Sequence, residues 1–402
     1  MTEPTAPHLL AVTFPFDQLD VLLERTSAID PLVWGRGDDL MVGFGDTLRL
    51  SFEGPTRIAD AAAAWQRLVA AAEIDDPVQV PGTGLVAFGS FTFADDSSQT
   101  SVLRVPRFVF GRRDDRRFIT EIRLSTEPSE ALPAPTSIRD GVRVSWQPTR
   151  DAEAHQAAVR GALSYIQSGS VHKVVLARSV SGEISEQTDL RAPIARLAER
   201  YPDTWLFAID GLIGASPETL VAAHEHTATI RVLAGTLDRE GGSVDQLLGS
   251  AKDQVEHQFA VDSVVDALHS YGVSDERVSD TFALELPELW HLASDIDFSQ
   301  HTIDLLRLVG ELHPTAAVAG SPTEAALKVI SAFETIDRGR YAGPVGWIDA
   351  AGNGEWAIAL RCAQVAGTTV TASAGGGIVA SSDPALEFAE TELKLRTIRS
   401  AF

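Results

Sequence analysis

Two periods of hydrophobic and polar alternation organise this chain, and the places where one gives way to the other mark its elements. Over residues 151–168, Val159, Ala162, Leu163 and Ile166 recur at helical spacing, and the run stops at Gly169. Residues 172–178 follow as a short strand apolar on both faces. Residues 204–208, 219–223 and 227–234 read as further strands, with a turn at Ser216-Pro217-Glu218. A long helix is predicted over 245–270, with Leu247, Leu248, Ala251, Val255, Phe259, Val264 and Leu268 as its buried stripe. Ser321-Pro322-Thr323-Glu324 reads as a capping box with proline at the first helical position. Gly352-Asn353-Gly354 predicts a hairpin turn between strands at 345–350 and 355–365, and a last helix starts at Asp383-Pro384. The first 125 or so residues give short strands and one alanine-rich helix over 60–72. Residues 125–137, with Pro128, Pro133 and Pro135, read as a linker or long surface loop. Strands joined by hairpin turns, together with several helices, predict an α+β fold with a mainly antiparallel sheet rather than a doubly wound parallel one.

Composition narrows this picture in two ways. Cys362 is the only cysteine, so no disulfide within the chain is available; the core must come from apolar packing, which fits a reducing cytosol. The first residues, Met1 to Pro7, lack the basic and apolar stretches of a signal peptide, and no run of about 18 apolar residues offers a membrane span. A soluble protein is expected. The net charge of −23 argues against nucleic acid or an anionic membrane as partner. It also means that local cations must invert the field wherever an anionic small molecule binds. The densest basic run, residues 111–117, is split by Asp114 and Asp115 and reads as a solvated loop or hairpin tip.

Candidate chemistry lies mostly in the second half. On a helix, Glu387, Glu390 and Lys394 share one face at i, i+3 and i+7, just after the cluster Gly375-Gly376-Gly377, read as a flexible turn whose amides can approach an anion. Asp253 and Glu256 repeat the i, i+3 acid pair. Together they suggest a divalent cation holding an anionic molecule. Oxygen-only donors suit magnesium; zinc lacks its thiolate and imidazole cluster. On the predicted 355–365 strand one face is large, and the other carries Ala357, Ala359, Arg361 and Ala363. Arg361 then either forks onto a ligand carboxylate above an alanine floor or lies on a solvated or helix-packed face. Lys173 opens an apolar strand, where burial disfavours an ammonium and favours a general base; the alternative is a strand-end lysine reaching water. Glu218 sits in a tight turn, where a rigid, desolvated carboxyl can stay protonated as a general acid, or is an ordinary exposed turn residue. No nucleophile elbow, phosphate-binding Walker loop or dinucleotide fingerprint is present.

Nine segments in order resemble the chorismate-utilising enzymes, the group of isochorismate, salicylate, anthranilate and aminodeoxychorismate synthases. They are Lys173 to Arg178, Ala215 to Glu218, Leu233 to Thr236, Lys252 to His257, Leu312 to Thr315, Tyr341 to Gly346, Leu360 to Ala363, the glycine cluster and the terminal acidic helix. The resemblance spans roughly 151–402 and is loose in the N-terminal third. It implies a large, mainly antiparallel β-sandwich core flanked by helices, with a β-rich region over 1–145 packing on a chorismate-binding catalytic domain over 146–402. Within the group, the stretch from Gly346 to Trp356 looks most like isochorismate synthases. Aminodeoxychorismate synthases carry a nucleophilic lysine before the Gly-Thr pair; here that position is Ala234, which leaves water as the nucleophile.

By resemblance, Lys173 would be the base that activates water and Glu218 the acid that protonates the departing hydroxyl. Glu256 and Glu390 would be the main magnesium ligands, with Asp253 and Glu387 direct or through water. Arg361 and Tyr341 would hold the enolpyruvyl carboxylate, while Gly235, Thr236, Gly377 and Lys394 complete the pocket. His313 lies in a shared segment without a definite role. Two departures, Gly376 where alanine is common and Ala316 where proline is frequent, remove no charged group. The alternatives are a salicylate synthase, which would go on to eliminate pyruvate in the same pocket, and a non-catalytic chorismate-binding protein. Pro31 to Trp34 followed by Val42 to Gly45 looks like the menaquinone subgroup, with a siderophore pathway as the other outlet. The resemblance also implies a monomer.

Overall fold

Alternating patterns in the N-terminal third build strands longer than the sequence predicts. In a computed structural model of the protein, which describes residues 6–17, 21–147, 151–299 and 304–402, this region holds β1 (Leu9–Pro15), β2 (Leu32–Arg36), β3 (Asp39–Phe52), α1 (Arg57–Ala71), β4 (Glu73–Asp75), β5 (Val86–Ser90), β6 (Ser101–Arg113), β7 (Arg116–Leu124) and β8 (Ser145–Trp146). The first five residues, on which the signal-peptide expectation partly rests, lie outside the described residues. β3 and β6 run to 14 and 13 residues because they pair with each other along nearly their whole length. The basic run at 111–117 is the tip of the β6–β7 hairpin.

The remainder comprises α2 (Ala152–Gln167), β9 (Lys173–Glu183), α3 (Arg191–Arg200), β10 (Trp205–Ile209), β11 (Leu212–Ser216), β12 (Thr219–His224), β13 (Thr227–Asp238), α4 (Val244–Leu248) and α5 (Ala251–Tyr271). Then come β14 (Arg277–Val278), β15 (Phe282–Glu285), β16 (Leu289–Ser299), α6 (Leu305–Leu312), β17 (Gly320–Ser321), α7 (Thr323–Phe333), β18 (Pro344–Asp349), β19 (Gly354–Ile358), β20 (Cys362–Ala366), β21 (Thr369–Ile378) and α8 (Pro384–Arg399). The strands form one hydrogen-bonded network, antiparallel except for β1 with β4. It is the α+β, mainly antiparallel architecture expected. β2–β10 and β5–β18 pairings carry the network from the N-terminal third into the rest. Alternate residues of one strand enter different cores: Leu32, Trp34, Phe207 and Ile209 join the larger cluster, and Val33, Leu206 and Ala208 join a second with Leu395 and Ile398 of α8. Among the described residues no helix is long and apolar enough to cross a membrane.

Four expectations need correction. The glycine cluster is not a turn: Gly375, Gly376 and Gly377 lie inside β21, opposite Ala177, Leu176 and Val175 of β9. The predicted 245–270 helix is broken, because Gly249 ends α4 and the Ser250 side chain accepts the Asp253 amide to start α5. This break rotates the buried stripe. Glu256, His257, Ala260, Val261, Val264 and Leu268 point inward, whereas Leu248, Ala251 and Val255 are exposed. No capping box forms at Ser321, which pairs with Lys173 in the sheet and leaves Pro322 as the N-cap without a side-chain bond. Finally, the strand predicted over 355–365 breaks at Ala359, Leu360 and Arg361, and Arg361 takes a left-handed φ of 49°.

One buried carboxylate ties the N-terminal third to the rest. Glu355 of β19 accepts from Trp34 Nε1 at 2.7 Å and Trp347 Nε1 at 2.9 Å, and pairs with Arg113 at 2.6 Å and His224 at 3.0 Å. Burial works against its charge, but His224 and Arg113 hold its pKa far below the usual carboxylate range. A depressed folded pKa contributes stability above the ordinary carboxylate value and loses it as pH falls. Glu355→Ala should therefore cost about 3 to 5 kcal/mol at pH 7, because buried Arg113 loses its 2.6 Å partner and keeps only Asp39 at 3.6 Å. The deficit relative to wild type should narrow at pH 3. Urea denaturation followed by tryptophan fluorescence at both pH values measures it.

Candidate active site

The β9–β21 ladder builds the centre of the site. Lys173, the first residue of β9, is fully buried, and its Nζ stands 3.2 Å from Glu256 Oε1 without the geometry of a hydrogen bond, so the ammonium has no hydrogen-bond partner. The approach depends on Gly377: a Cβ there would come within 2.1 Å of Glu256 Oε1 and 2.9 Å of Lys173 Cε. Glycine in this strand makes room for charged side chains, and the pairing with β9 satisfies the backbone that a free turn would have exposed.

Glu218 lies in the β11–β12 turn, and the sequence places it correctly. The Ser216 hydroxyl pins the turn by donating to the Ile358 carbonyl at 2.6 Å and accepting from the Glu218 amide at 3.3 Å. The Glu218 carboxyl is almost wholly buried. Burial pushes its pKa up to about 8, although the Leu233 amide and the charges of Lys173, Arg361 and Lys394 pull the other way. It is a neutral acid at pH 7 with bases and cations around it.

Arg361 reaches the same cavity because the strand breaks. Its left-handed backbone takes it out of the alternation of β19, so Leu360 and Arg361 line the cavity together. Ala357 and Ala359 belong to the apolar core instead of flooring the site, contrary to the alternation argument. Arg361 Nη2 donates to His291 Nε2 at 2.8 Å, and its buried Nε has no partner. His291 Nδ1 lies 3.0 Å from the Gly235 carbonyl and 3.1 Å from the Thr236 hydroxyl. Burial, reinforced by Arg361 and Lys394, holds the His291 pKa well below its ordinary value, so the ring is neutral and its Nδ1–H donates to Gly235. The carbonyl is presented by a β-bulge, with Gly235 at φ +79° between Ala234 and Thr236. Tyr341, buried, faces Gly375 across the cavity.

His291 was missed in the sequence. The available signal was a lone histidine in the apolar run Leu289 to Ala293, on a strand whose partner carries the Gly235-Thr236 pair. His313 has a different place. It packs edge-on to Phe93 and its Nε2 donates to the Phe93 carbonyl at 3.0 Å, with its pKa lowered to about 4 by burial. It borders a separate cavity of about 1240 Å³, much larger than the roughly 50 Å³ around Glu218 and Arg361. Size is a poor guide here. The large cavity's buried cations are already satisfied, Arg57 by Asp95 and backbone carbonyls and Arg338 by Glu334 and the Val175 and Val318 carbonyls. The small one is lined by Arg361, whose Nε has no hydrogen-bond partner, and by Glu256, which pairs with the buried Lys173 behind it.

Glu387 and Glu390 lie against Gly376, between the cavity-lining Gly375 and Gly377, each with its own lysine. Glu387 Oε1 takes Lys252 Nζ at 2.8 Å, and Glu390 Oε1 takes Lys394 Nζ at 2.5 Å; Lys394 also donates to the Gly375 carbonyl at 2.9 Å. Glu387 is buried and raised in pKa by that burial and by Glu390 beside it, whereas Lys394, Lys252 and Arg361 overcome burial to lower that of Glu390. The Ser382 hydroxyl accepts the Val379 amide at 3.1 Å and lies near enough to Glu387 to favour its charge, while buried Glu387 Oε2 makes no direct hydrogen bond. A Cβ on Gly376 would meet that oxygen at 3.2 Å and Glu390 Oε1 at 3.8 Å. Asp253 sits instead against Gly235. Among the described residues no group of three or more His, Cys, Asp or Glu side chains forms a ready metal site. Nevertheless, an orphaned buried carboxylate oxygen turned toward a second carboxylate, in an all-oxygen set, fits a hard divalent cation that keeps several waters.

These geometries define a buried site for a polyanionic small molecule, with one neutral acid and one buried amine. The chain belongs to the chorismate binding enzyme family, whose model matches residues 3–402. It is 34% identical to isochorismate synthase DhbC of Bacillus subtilis over 274 residues, 63% of this chain and 69% of that one. It is 31% identical to the salicylate biosynthesis isochorismate synthase of Pseudomonas aeruginosa over 436 aligned positions, 98% of this chain and 90% of the relative. Its fold matches the crystal structure of a putative 2,3-dihydroxybenzoate-specific isochorismate synthase, DhbC from Bacillus anthracis, with a TM-score of 0.77 and 28% identity over 94% of this chain and 98% of that one.

The raised Glu218 pKa has a stability consequence. Because the folded value lies above the unfolded one, the folded state loses ground as pH rises from about 4.5 to about 8. Glu218→Gln cannot ionise, so it should match wild type at pH 5 and exceed it at pH 9 by on the order of 2 to 4 kcal/mol. Urea denaturation at the two pH values checks the sign.

Proposed function

We propose that this chain is an isochorismate synthase, which interconverts chorismate and isochorismate. The observation that carries the reading is the pairing of a neutral buried carboxyl, Glu218, with a buried lysine, Lys173, around a cavity whose anion clamp is Arg361 held by His291. Lys173 Nζ takes a proton from water as the water oxygen bonds to ring carbon C2. The C1=C2 and C5=C6 double bonds shift to C1=C6 and C4=C5, and the hydroxyl on C4 leaves as water by taking the proton of Glu218. One proton is accepted and one given, so the exchange balances without a covalent intermediate.

Arg361, with its free Nε, and Tyr341 bind the enolpyruvyl carboxylate. Gly235, Thr236 and Gly377 shape the wall, and Lys394 bonds the substrate from the α8 side. Magnesium would be held by Glu256 and Glu390, with Asp253 and Glu387 direct or through water, and would supply neutralising charge at the ring carboxylate. We place the enzyme in the reducing cytosol, where its one cysteine, Cys362, stays free, and acting as a monomer. Its product would feed menaquinone or a siderophore. The β-rich stretch over 1–145 then serves as scaffold for a catalytic domain over 146–402.

Incubation with chorismate and magnesium should give isochorismate without pyruvate, read by chromatography. Salicylate with pyruvate would make it a salicylate synthase, and no turnover would leave a binding protein. Lys173→Ala should lose on the order of 100- to 10,000-fold in kcat with little change in melting temperature. Since Glu218 must be protonated to act, kcat/KM should fall as pH rises through about 8.

A further inference from the structure

Two of the three lysines on the acid cluster are accounted for by the proposed chemistry; Lys252 is not. It does not line the cavity around Glu218 and Arg361. It reaches from the first turn of α5 across to α8, where its ammonium holds Glu387 Oε1 at 2.8 Å. Its side chain is 32% exposed, against 0% for Lys173 and 12% for Lys394, so it covers the acids from the solvent side. The other oxygen of Glu387, on a side chain only 1% exposed, stays unpartnered beside Glu390.

The charges at this cluster cancel. Glu387 is paired with Lys252 and Glu390 with Lys394, one positive charge for each negative one. A divalent cation entering alone would leave two uncompensated positive charges, and a dicarboxylate alone two negative ones. Entering together, they restore neutrality. In a poorly solvated site each imbalance is costly.

We propose that Lys252 is an internal cation that occupies Glu387 and opposes a lone divalent ion, so that the metal binds tightly only together with a dianionic ligand. The proposal rests on the magnesium reading given above. Lys252 is a positioning residue: it touches neither substrate nor reacting atoms, and acts through the charge of the acid cluster.

Manganous ion is the probe, with free Mn²⁺ followed by electron paramagnetic resonance, so that no turnover is needed. Without chorismate, Lys252→Met should bind Mn²⁺ at least about tenfold more tightly than wild type. Lys252→Arg, which keeps the charge, should resemble wild type. Lys252→Gln loses the charge but keeps a donor for Glu387; it should follow Lys252→Met, and it carries the test if Lys252→Met does not fold by its thermal melt. Unchanged or weaker Mn²⁺ binding in the neutral variants would overturn the proposal and make Lys252 an orienting donor only. Should wild type fail to bind Mn²⁺ even with chorismate present, the magnesium assignment falls, and the role of Lys252 with it.

Discussion

Everything at the site depends on the absence of side chains where β21 crosses β9. The two strands pair over ten residue positions, from Thr369 opposite Glu183 to Ile378 opposite Val174. At the far end of that ladder Lys173 and Glu256 occupy space that any Cβ on Gly377 would take. Two charged groups can be buried there only because the third party at the contact is backbone. The ladder also satisfies the glycine amides and carbonyls on the β9 side, so flexible residues are held in a fixed line. A loop of the same composition would have supplied donors but no fixed spacing between Lys173, Glu256 and α8.

A chain with net charge −23 must make its anion site locally, and it does so with lysines that neutralise acids and an arginine that has none to neutralise. Buried ion pairs contribute little net stability, since desolvation offsets most of the attraction. Their value here is different. They hold three carboxylates close together in a place where burial works against lone carboxylates. The same surroundings leave Glu218 without a lysine in contact, and burial then dominates and keeps its proton on. Environment alone moves the pKa values of Glu218 and Glu390 in opposite directions, up in the first and down in the second.

Much of this was legible in the sequence. The strand at Lys173, the turn at Glu218, the hairpin at Gly352 and the last helix at Asp383 all follow local rules, in which spacing, proline and glycine act within a few residues. The failures were tertiary. Val255 and Leu248 looked like core and are exposed, because Gly249 and Ser250 reset the helix and turned Glu256 and His257 inward. The glycine run looked like a turn because its partner strand lies almost 200 residues earlier in the chain. His291 showed only as a lone histidine in an apolar run and Lys252 only as the head of the segment to His257; their meaning lies in what they touch across the sheet and between helices.

Arg361 shows why the last gap could not close from periodicity. In a continuous strand, alternation would put its side chain with Ala357 and Ala359, and those two pack into the apolar core. A guanidinium could not follow them there without a counter-charge. The chain breaks instead, and a non-glycine residue at φ 49° costs on the order of 1 to 3 kcal/mol. That strain persists because both flanks are fixed, β19 by its pairing with β12 and β18 and β20 by its pairing with β11 and β21. His291 then holds the redirected side chain through a neutral ring, which orients the guanidinium while leaving its full positive charge for a ligand. An acidic partner in the place of His291 would have oriented Arg361 equally well and cancelled the charge that the site exists to present.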